Sequence, residues 1–300
     1  PSVAVSCRGF RRLQPRPLGE NGMSAPPDTE ELEAIEVELL LEAIFRRYGF
    51  DFRNYAQSSI CRRIWSSVHA EGLETISELQ GKLLHDAAAM ERFLLTVTVN
   101  VSTMFRDPDF YRVFRSRVAP ALQTCPFVRI WHVGCATGEE VYSMAILLHE
   151  EGLYPRCRIY ATDMNEAVLA KAKAGIFSPG MVQEYTTNYL QAGGTGCFSE
   201  YYTANYGNVI FDRALIDNIV FAQHNLVTDG SFNEFQVILC RNVMIYFNDL
   251  LTRQVHELLY QSLALSGFLG LGDKESIKFT PREDCYEEFD GHERLYRRIK

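Results

Sequence analysis

Three carboxylates lie near a glycine-rich turn, and their spacing suits the binding of a nucleoside. A short apolar run, 128–133, leads into the turn GCATG that starts at Gly134, and Glu139 and Glu140 follow the turn directly. The next apolar run ends on Asp163. Glycines let a ligand approach the backbone, and an acid at the end of the following strand can bind a ribose diol. The pattern therefore predicts a nucleoside-containing cofactor.

The two acids after the turn indicate which nucleoside this is. A dinucleotide site places a pyrophosphate at the helix N-terminus, where Glu139 and Glu140 would repel it. The acids suit a ligand that carries an ammonium or a sulfonium, such as S-adenosylmethionine. For either acid alone, the alternative is a first-turn carboxylate that complements the helix dipole.

The glycine turn and Asp163 can form one site only if a sheet brings the ends of their strands together. Apolar runs that predict strands alternate with amphipathic stretches that predict helices, which indicates a parallel sheet with crossovers, a doubly wound α/β domain. Strands are expected at 128–133, 158–162, 219–223, 235–240 and 268–272, helices at 139–149, 166–174 and 250–265, and a final hairpin ends in 294–299.

The preceding part of the chain reads as a separate helical domain, 28–98. The 3.6-residue period of its apolar positions indicates helices at about 28–49, 54–70 and 75–95. The period breaks at 96–106, and Asp107-Pro108 then starts another helix toward Pro120. The second domain is expected at 99–300, with an aromatic and glycine-rich insertion of short strands at about 176–218.

Residues 1–27 are rich in Pro, Gly, Ser and Arg, lack periodicity and begin without Met. We expect a tail that is disordered or foreign to the natural chain, with Met23 as the natural start. Its arginines also fit an organelle transit peptide, although no clear amphipathic helix accompanies them.

Composition narrows the class of protein. A chain of 300 residues with 47% apolar content can bury a full core, and its apolar runs are shorter than the ~18 residues of a membrane span, so we expect a soluble protein without membrane insertion. The 8 cysteines form no CxxC pair, which indicates reduced thiols in a cytoplasmic protein and no metal site. The net charge of −8 argues against nucleic-acid binding.

Arginines cluster in one stretch of the helical domain, where Asp51 is the only acid. Such a stretch can dock an acidic partner or form a solvated helix face. The cluster consists of Arg46, Arg47, Arg53, Arg62 and Arg63.

Four motifs together resemble the CheR-type chemotaxis receptor methyltransferases. The resemblance runs from about Tyr48 to Arg298 and is carried by NVSTMFRDPDFY at Asn100, GCATGEEVYS at Gly134, ATDMNEAVLAKAKAGIF at Ala161 and CRNVMIYFN at Cys240. It implies a class I methyltransferase domain that uses S-adenosylmethionine, leaves S-adenosylhomocysteine and esterifies glutamates of methyl-accepting chemotaxis receptors. It also implies that the insertion is a β-subdomain, which in some members docks a receptor C-terminal peptide by adding a strand.

The resemblance also implies roles for individual residues. Asn100, Ser102 and Arg106 contact the cofactor, Glu140 binds its methionine end and Asp163 its ribose. Asn225 and Leu226, and the edge formed by Cys240, Arg241 and Asn242, line the adenine and methyl sides. Arg106 and Tyr246 match positions proposed to assist catalysis.

Plainer roles remain open for several of these residues. Asn225 and Asn242 fit turn chemistry at strand ends, and Cys240 fits a small buried apolar side chain. Tyr246 fits a core aromatic, and Arg106 fits a partner for Asp107 or Asp109. For the whole chain, the alternatives are a non-catalytic module that binds S-adenosylmethionine or its product, and a small-molecule carboxyl methyltransferase.

Overall fold

The computed structural model describes residues 29–98, 102–205 and 207–300. The expected tail at 1–27 and the predicted cofactor ligand Asn100 lie outside these ranges. Contacts divide the chain into two compact units. Of the described residues, the first unit holds 29–98 together with Tyr246–Asn248, and the second holds 102–205, 207–245 and 249–300. Within the described ranges, no helix combines the length and apolar character that crossing a bilayer requires.

The first unit is built from four helices whose apolar faces meet. Ile44, Ile64, Leu79 and Phe93, one from each helix, are almost completely buried. The helices are α1 (Thr29–Tyr48), α2 (Gln57–Ala70), α3 (Ile76–His85) and α4 (Ala87–Val97).

The expectation of one continuous helix at 75–95 is wrong, because the chain breaks at Asp86 into α3 and α4. The carboxylate of Asp86 accepts a hydrogen bond from the backbone N–H of Ala88 at 2.9 Å and so caps α4. At the start of α3, Thr75 Oγ1 accepts from Glu78 N at 3.1 Å and the Glu78 carboxylate accepts from Thr75 N at 2.9 Å. These reciprocal bonds form a capping box.

The second unit is built around a seven-stranded sheet. The strands of this unit are β1 (Val128–Val133), β2 (Cys157–Asp163), β3 (Ile176–Phe177), β4 (Tyr202–Asn205), β5 (Asn208–Phe211), β6 (Ile219–Gln223), β7 (Phe235–Cys240), β8 (Leu263–Leu271), β9 (Tyr286–Asp290) and β10 (Leu295–Arg298). The order in the seven-stranded sheet is β6-β2-β1-β7-β8-β10-β9. The first five strands in this order are parallel and the last two pairings are antiparallel, which confirms the doubly wound α/β class.

Helices connect these strands. Instead of one helix from Pro108 to Pro120, the chain forms a helix at Pro108–Val113, a π-helical turn at Phe114–Val118 and a second short helix at Ala119–Leu122. The helices are α5 (Pro108–Val113), α6 (Ala119–Leu122), α7 (Glu139–Glu150), α8 (Glu166–Ala174), α9 (Val182–Gln191) and α10 (Asp249–Ser262).

Strand β8 starts earlier than its apolar pattern suggests. It follows α10 directly at Leu263, which pairs with Phe235, whereas Phe268 pairs with Val237. The pairing shifts between these two points, and Ser266 there has a φ of 64°. Because of this irregularity, the first residues of the strand do not show the regular alternation of apolar and polar residues by which strands are predicted.

The region 176–218 holds a small antiparallel sheet in the order β3-β5-β4, and also the helix α9. The helix was not expected, because the region's aromatic and glycine content suggested only short strands. Tyr185 and Tyr189 lie one helical turn apart on α9 and are buried, which gives the helix an apolar face.

The register of the parallel strands brings their carboxyl ends to one edge of the sheet. Val133 on β1 pairs with Thr162 on β2, and the next residue of β2, Asp163, pairs with Gln223 at the end of β6. On the other side, β1 pairs with β7 up to Leu239. The segments that follow β1, β2, β6 and β7 therefore share the edge where open α/β sheets bind ligands.

Candidate cofactor site

The glycine turn has a backbone that only small residues fit. Gly134 has a φ of 64°, and a Cβ at this position would lie 2.8 Å from Cγ2 of Val243. Gly138, with a φ of 95°, precedes α7, and a Cβ there would lie 3.0 Å from Cβ of Ala172. A side chain at either position would be strained and crowded, because the backbone of the turn lies close to Val243 and Ala172.

Asp163, the last residue of β2, is buried and tied to this turn. Its Oδ2 accepts a hydrogen bond from Ala136 N at 3.0 Å, and its Oδ1 accepts one from Asn165 N at 3.0 Å. Burial raises the pKa of Asp163, although the backbone N–H groups around it oppose this rise. A carboxylate offers about four acceptor positions. The backbone N–H groups of Ala136, Asn165 and Met164 use three of these positions, which leaves about one for a ligand hydroxyl.

Glu140 lies between two basic side chains. Its Oε1 is 3.0 Å from Nδ1 of His132, and its Oε2 accepts from Nη1 of Arg241 at 3.0 Å. Burial opposes ionisation of Glu140, but the hydrogen bond from His132 and the charge of Arg241 outweigh it, so the pKa lies below its ordinary value. Glu140 is thus an ionised, oriented carboxylate whose charge is matched within the protein.

Glu139 makes a local contact at the start of α7. Its carboxylate accepts from the hydroxyl of Thr137 at 2.7 Å and 2.9 Å, and burial raises its pKa. This arrangement agrees with the alternative interpretation of a first-turn acid. The two neighbouring acids therefore have different surroundings and different tendencies to ionise.

Arg241 connects the segment after β7 with the segment before α5. Besides Glu140, its Nη2 donates to Oδ2 of Asp107 at 2.7 Å, and its guanidinium lies 4.1 Å from the ring centre of Phe110. The sequence pointed to Arg241 as an edge residue but missed His132 and Asp107 as members of this network. A histidine between the apolar residues Trp131 and Val133 was the available signal for His132.

Ser102 and Arg106 lie just before α5 and belong to the second unit. The Nε of Arg106 lies 3.9 Å from Oδ2 of Asp107, as the alternative pairing predicted. The backbone carbonyl of Arg106 accepts a hydrogen bond from Nη1 of Arg241 at 3.4 Å. The Arg106 side chain is 42% exposed, and Ser102 is half-buried. This ion pair is weak and exposed, so the guanidinium is available to a ligand.

The residues after β6 and β7 show turn chemistry. Asn225 Oδ1 accepts from Val227 N at 3.0 Å, with the half-buried Leu226 inside the turn. Asn242 has a φ of 61°. Cys240 is fully buried at the end of β7, and burial raises the pKa of its thiol, which makes it a poor nucleophile.

Tyr246 belongs to the helical unit. The guanidinium of Arg63 lies 4.7 Å from its ring centre, and its carbonyl accepts from Ala56 N at 2.8 Å. The other described residues predicted for the site belong to the second unit. The ring of Tyr246 is therefore held by a cation–π contact and not packed as a fully buried aromatic.

A cavity of about 420 Å³ opens beside Arg241. Asp107, Asp109 and Glu293 line it together with Arg112. Burial and the neighbouring Asp109 and Asp290 raise the pKa of Glu293. The described ranges contain no group of acids, histidines or cysteines arranged to hold a metal ion.

The residues at the sheet edge fit an adenosyl sulfonium better than a phosphate-bearing nucleotide. Asp163 keeps an acceptor position, the turn carries no side chain of its own at Gly134, and carboxylates occupy the start of α7. A nucleotide phosphate would meet these acids instead of bare N–H groups.

Comparison with known proteins agrees with this geometry. Residues 100–290 match the family described as "CheR methyltransferase, SAM binding domain", and residues 35–98 match "CheR methyltransferase, all-alpha domain". Cher3 of Pseudomonas putida, which carries a methyltransferase name, is 48% identical over 264 residues, covering 88% of this chain and 97% of that relative.

More distant relatives carry the name "Chemotaxis protein methyltransferase". The one from Listeria innocua is 30% identical over 240 residues, covering 77% of this chain and 86% of that protein. The one from Salmonella typhimurium is 26% identical over 254 residues, covering 81% of this chain and 84% of that protein. The chain therefore belongs to the CheR methyltransferase family and is an S-adenosylmethionine-dependent methyltransferase.

Proposed function

We propose that this enzyme methylates glutamate side chains in the cytoplasmic domains of chemotaxis receptors and forms glutamyl methyl esters. The observation that carries the proposal is the pairing of both CheR domains in one chain, with relatives that are named chemotaxis protein methyltransferases. A receptor substrate also places the enzyme in the cytoplasm.

The proposal includes individual contacts to the cofactor. Asp163 accepts a hydrogen bond from the ribose, and Glu140 faces the methionine end. Asn225 and Leu226 lie on the adenine side, and the edge from Cys240 through Arg241 to Asn242 lies on the methyl side. Asn100, Ser102 and Arg106 complete the contacts.

The proposed reaction requires no proton transfer by the protein. S-adenosylmethionine supplies an electrophilic methyl group when it is bound. A substrate glutamate has a pKa of about 4.3 and is already ionised at neutral pH, so no general base is required. Alignment of the carboxylate and exclusion of water then contribute on the order of several kcal/mol. We assign the alignment to Arg106, whose exposed guanidinium has only a weak partner, and to Tyr246.

The docking of the receptor is proposed for two surfaces. The arginines of α2, Arg62 and Arg63, suit an acidic helical surface. The small sheet β3-β5-β4 has open edges, to which a receptor C-terminal peptide can add a strand.

The test is transfer of a labelled methyl group from S-adenosylmethionine to receptor cytoplasmic fragments. We expect label that alkali releases as methanol, because an ester is base-labile, and a mass gain of one methylene on a peptide that contains glutamate. Asp163→Ala serves as the control that cannot hold the cofactor. Binding of S-adenosylhomocysteine without label transfer would instead support a non-catalytic regulator, and label on a small carboxylic acid alone would support a small-molecule enzyme.

A further inference from the structure

Glu275, which lies beyond the end of β8, has a carboxylate that is almost fully buried and surrounded by backbone amides. Its Oε1 accepts hydrogen bonds from Val243 N at 2.9 Å and Met244 N at 2.7 Å. Its Oε2 accepts from Asn242 N at 2.9 Å and Gly272 N at 2.7 Å. One side chain therefore gathers three consecutive amides of the segment after β7 and one from the end of β8.

The gathered segment contains a residue in a left-handed conformation. Asn242 has a φ of 61°, which asparagine adopts more readily than most other residues that carry a side chain. Four short N–H bonds to one carboxylate are charge-assisted and hold this conformation. Burial raises the pKa of Glu275, and the four N–H groups oppose that rise.

The same segment reaches the glycine turn on β1. Val243 approaches Gly134 so closely that a Cβ on this glycine would lie 2.8 Å from Cγ2 of Val243. The carboxylate of Glu275 fixes the backbone of Val243, and the side chain of Val243 packs on the turn. Glu275 is thereby connected to the turn at the cofactor site through one intermediate residue.

We infer that Glu275 is a positioning residue for the cofactor crevice: it locks the 242–244 segment against the glycine turn, so that one wall of the crevice is formed before the cofactor arrives. The inference rests on the proposed placement of the cofactor between Asp163 and the segment after β7. Glu275 itself acts through the backbone and needs no contact with the cofactor.

The informative variant is Glu275→Gln, which keeps the size of the side chain but places an NH₂ group against two of the four backbone donors. We expect the dissociation constant of S-adenosylhomocysteine, measured by calorimetry, to rise about tenfold, because buried donors lose their acceptor. The KM for S-adenosylmethionine should rise in parallel, whereas kcat at saturating cofactor should change less than about threefold, because the reacting groups are untouched.

A matched control separates positioning from general loss of stability. Glu150 is another carboxylate of the same unit, with a side chain that is 6% exposed, and it pairs with Arg115 and accepts from the hydroxyls of Tyr189 and Tyr201. Glu150→Gln should lower the melting temperature and leave the dissociation constant of S-adenosylhomocysteine within twofold of the wild-type value. An equal loss of affinity in Glu150→Gln would overturn the inference.

Other outcomes are also decisive. Wild-type affinity in a folded Glu275→Gln variant would contradict the positioning role while leaving the proposed function intact. Failure of the wild-type enzyme to bind S-adenosylhomocysteine would remove the proposed function itself. If Glu275→Gln does not fold, Glu275→Asp replaces it, since the shorter carboxylate cannot reach all four amides, and unchanged affinity there would equally refute the inference.

Discussion

At the scale of single residues, Asp163 combines two tasks in one carboxylate. It holds the glycine turn through Ala136 N and its own loop through Asn165 N. We expect its remaining acceptor position to receive a hydroxyl group of the ligand. The position of the Asp163 carboxylate is consequently fixed by contacts within the protein.

Replacement of Asp163 by Asn tests this role. The amide has the shape of the carboxylate but no charge, and a hydrogen bond to a charged group contributes about 1.5–3 kcal/mol. We expect the affinity for S-adenosylhomocysteine to fall roughly ten- to hundredfold, as measured by calorimetry. A folded Asp163→Asn protein with wild-type affinity would rule out the ribose contact.

The pH dependence of binding follows from the raised pKa of Asp163. A ribose hydroxyl donates to the ionised carboxylate, so protonation of Asp163 weakens binding. Because the pKa in the free protein is raised, affinity should begin to decline at a pH above the ordinary range for Asp, about 3.9. Calorimetry between neutral and mildly acidic pH measures this decline, and a decline of the same shape in Asp163→Asn would assign it to another group.

Tyr246 allows turnover to be separated from cofactor binding. Tyr246→Phe keeps the ring over Arg63 but removes the hydroxyl proposed to orient the substrate carboxylate. We expect kcat to fall, on the order of tenfold for a lost hydrogen bond, with little change in affinity for S-adenosylhomocysteine. Label transfer to receptor fragments measures the first quantity and calorimetry the second. An unchanged kcat would assign Tyr246 a structural role.

The sequence predicted a glycine turn after β1 and Asp163 at the end of the next strand, because both follow from the order of strand, turn and helix along the chain. It could not predict how Glu140 is held, since Arg241 is 101 positions away along the chain. Glu275 was missed for the same reason, because its partners Asn242 and Val243 precede it by more than thirty residues. Contacts between residues that are far apart along the chain leave no local pattern in the sequence.

At the scale of elements, short polar side chains decide where the helices begin. The capping box of Thr75 and Glu78 starts α3, and Asp86 separates α3 from α4. The apolar period continues across Asp86, which is why periodicity alone predicted one helix there. Cap chemistry marks such boundaries more sharply than hydrophobicity does.

Thr75→Ala should destabilise the helical unit, because the N–H of Glu78 loses its acceptor. The expected loss is about 1 kcal/mol in the free energy of unfolding, measured by urea denaturation followed by circular dichroism. Thr96→Ala is the matched control, because its hydroxyl donates to Arg92 O within α4 and caps no helix start. A larger loss in the control than in Thr75→Ala would contradict the capping role.

At the scale of the whole molecule, the chain is a helical unit and a doubly wound α/β unit that holds the cofactor edge. The sequence predicted this division because the hydrophobic period changes from uniformly helical to alternating strand and helix. It could not predict that Tyr246–Asn248 group with the helical unit, since these residues lie between β7 and α10.

Cofactor binding should stabilise the α/β unit by mass action. S-adenosylhomocysteine at about one hundred times its dissociation constant should add about 2.7 kcal/mol to the free energy of unfolding of that unit. Hydrogen exchange of the amides in β1, β2 and β7 reads this gain directly. Exchange rates in these strands that do not respond to saturating ligand would show that binding occurs elsewhere.

The grouping of Tyr246–Asn248 also matters for anyone who wishes to divide the protein. Phe247 bridges to Tyr55, and Asn248 N donates to Asn54 O at 2.9 Å, so the helical unit is completed by three residues encoded far downstream. No single cleavage point can release both pieces intact. A recombinant fragment that stops after α4 would expose the surface around Tyr55. A fusion partner inserted at Phe247 would disturb the helical unit, although most of that unit is encoded more than 140 residues upstream.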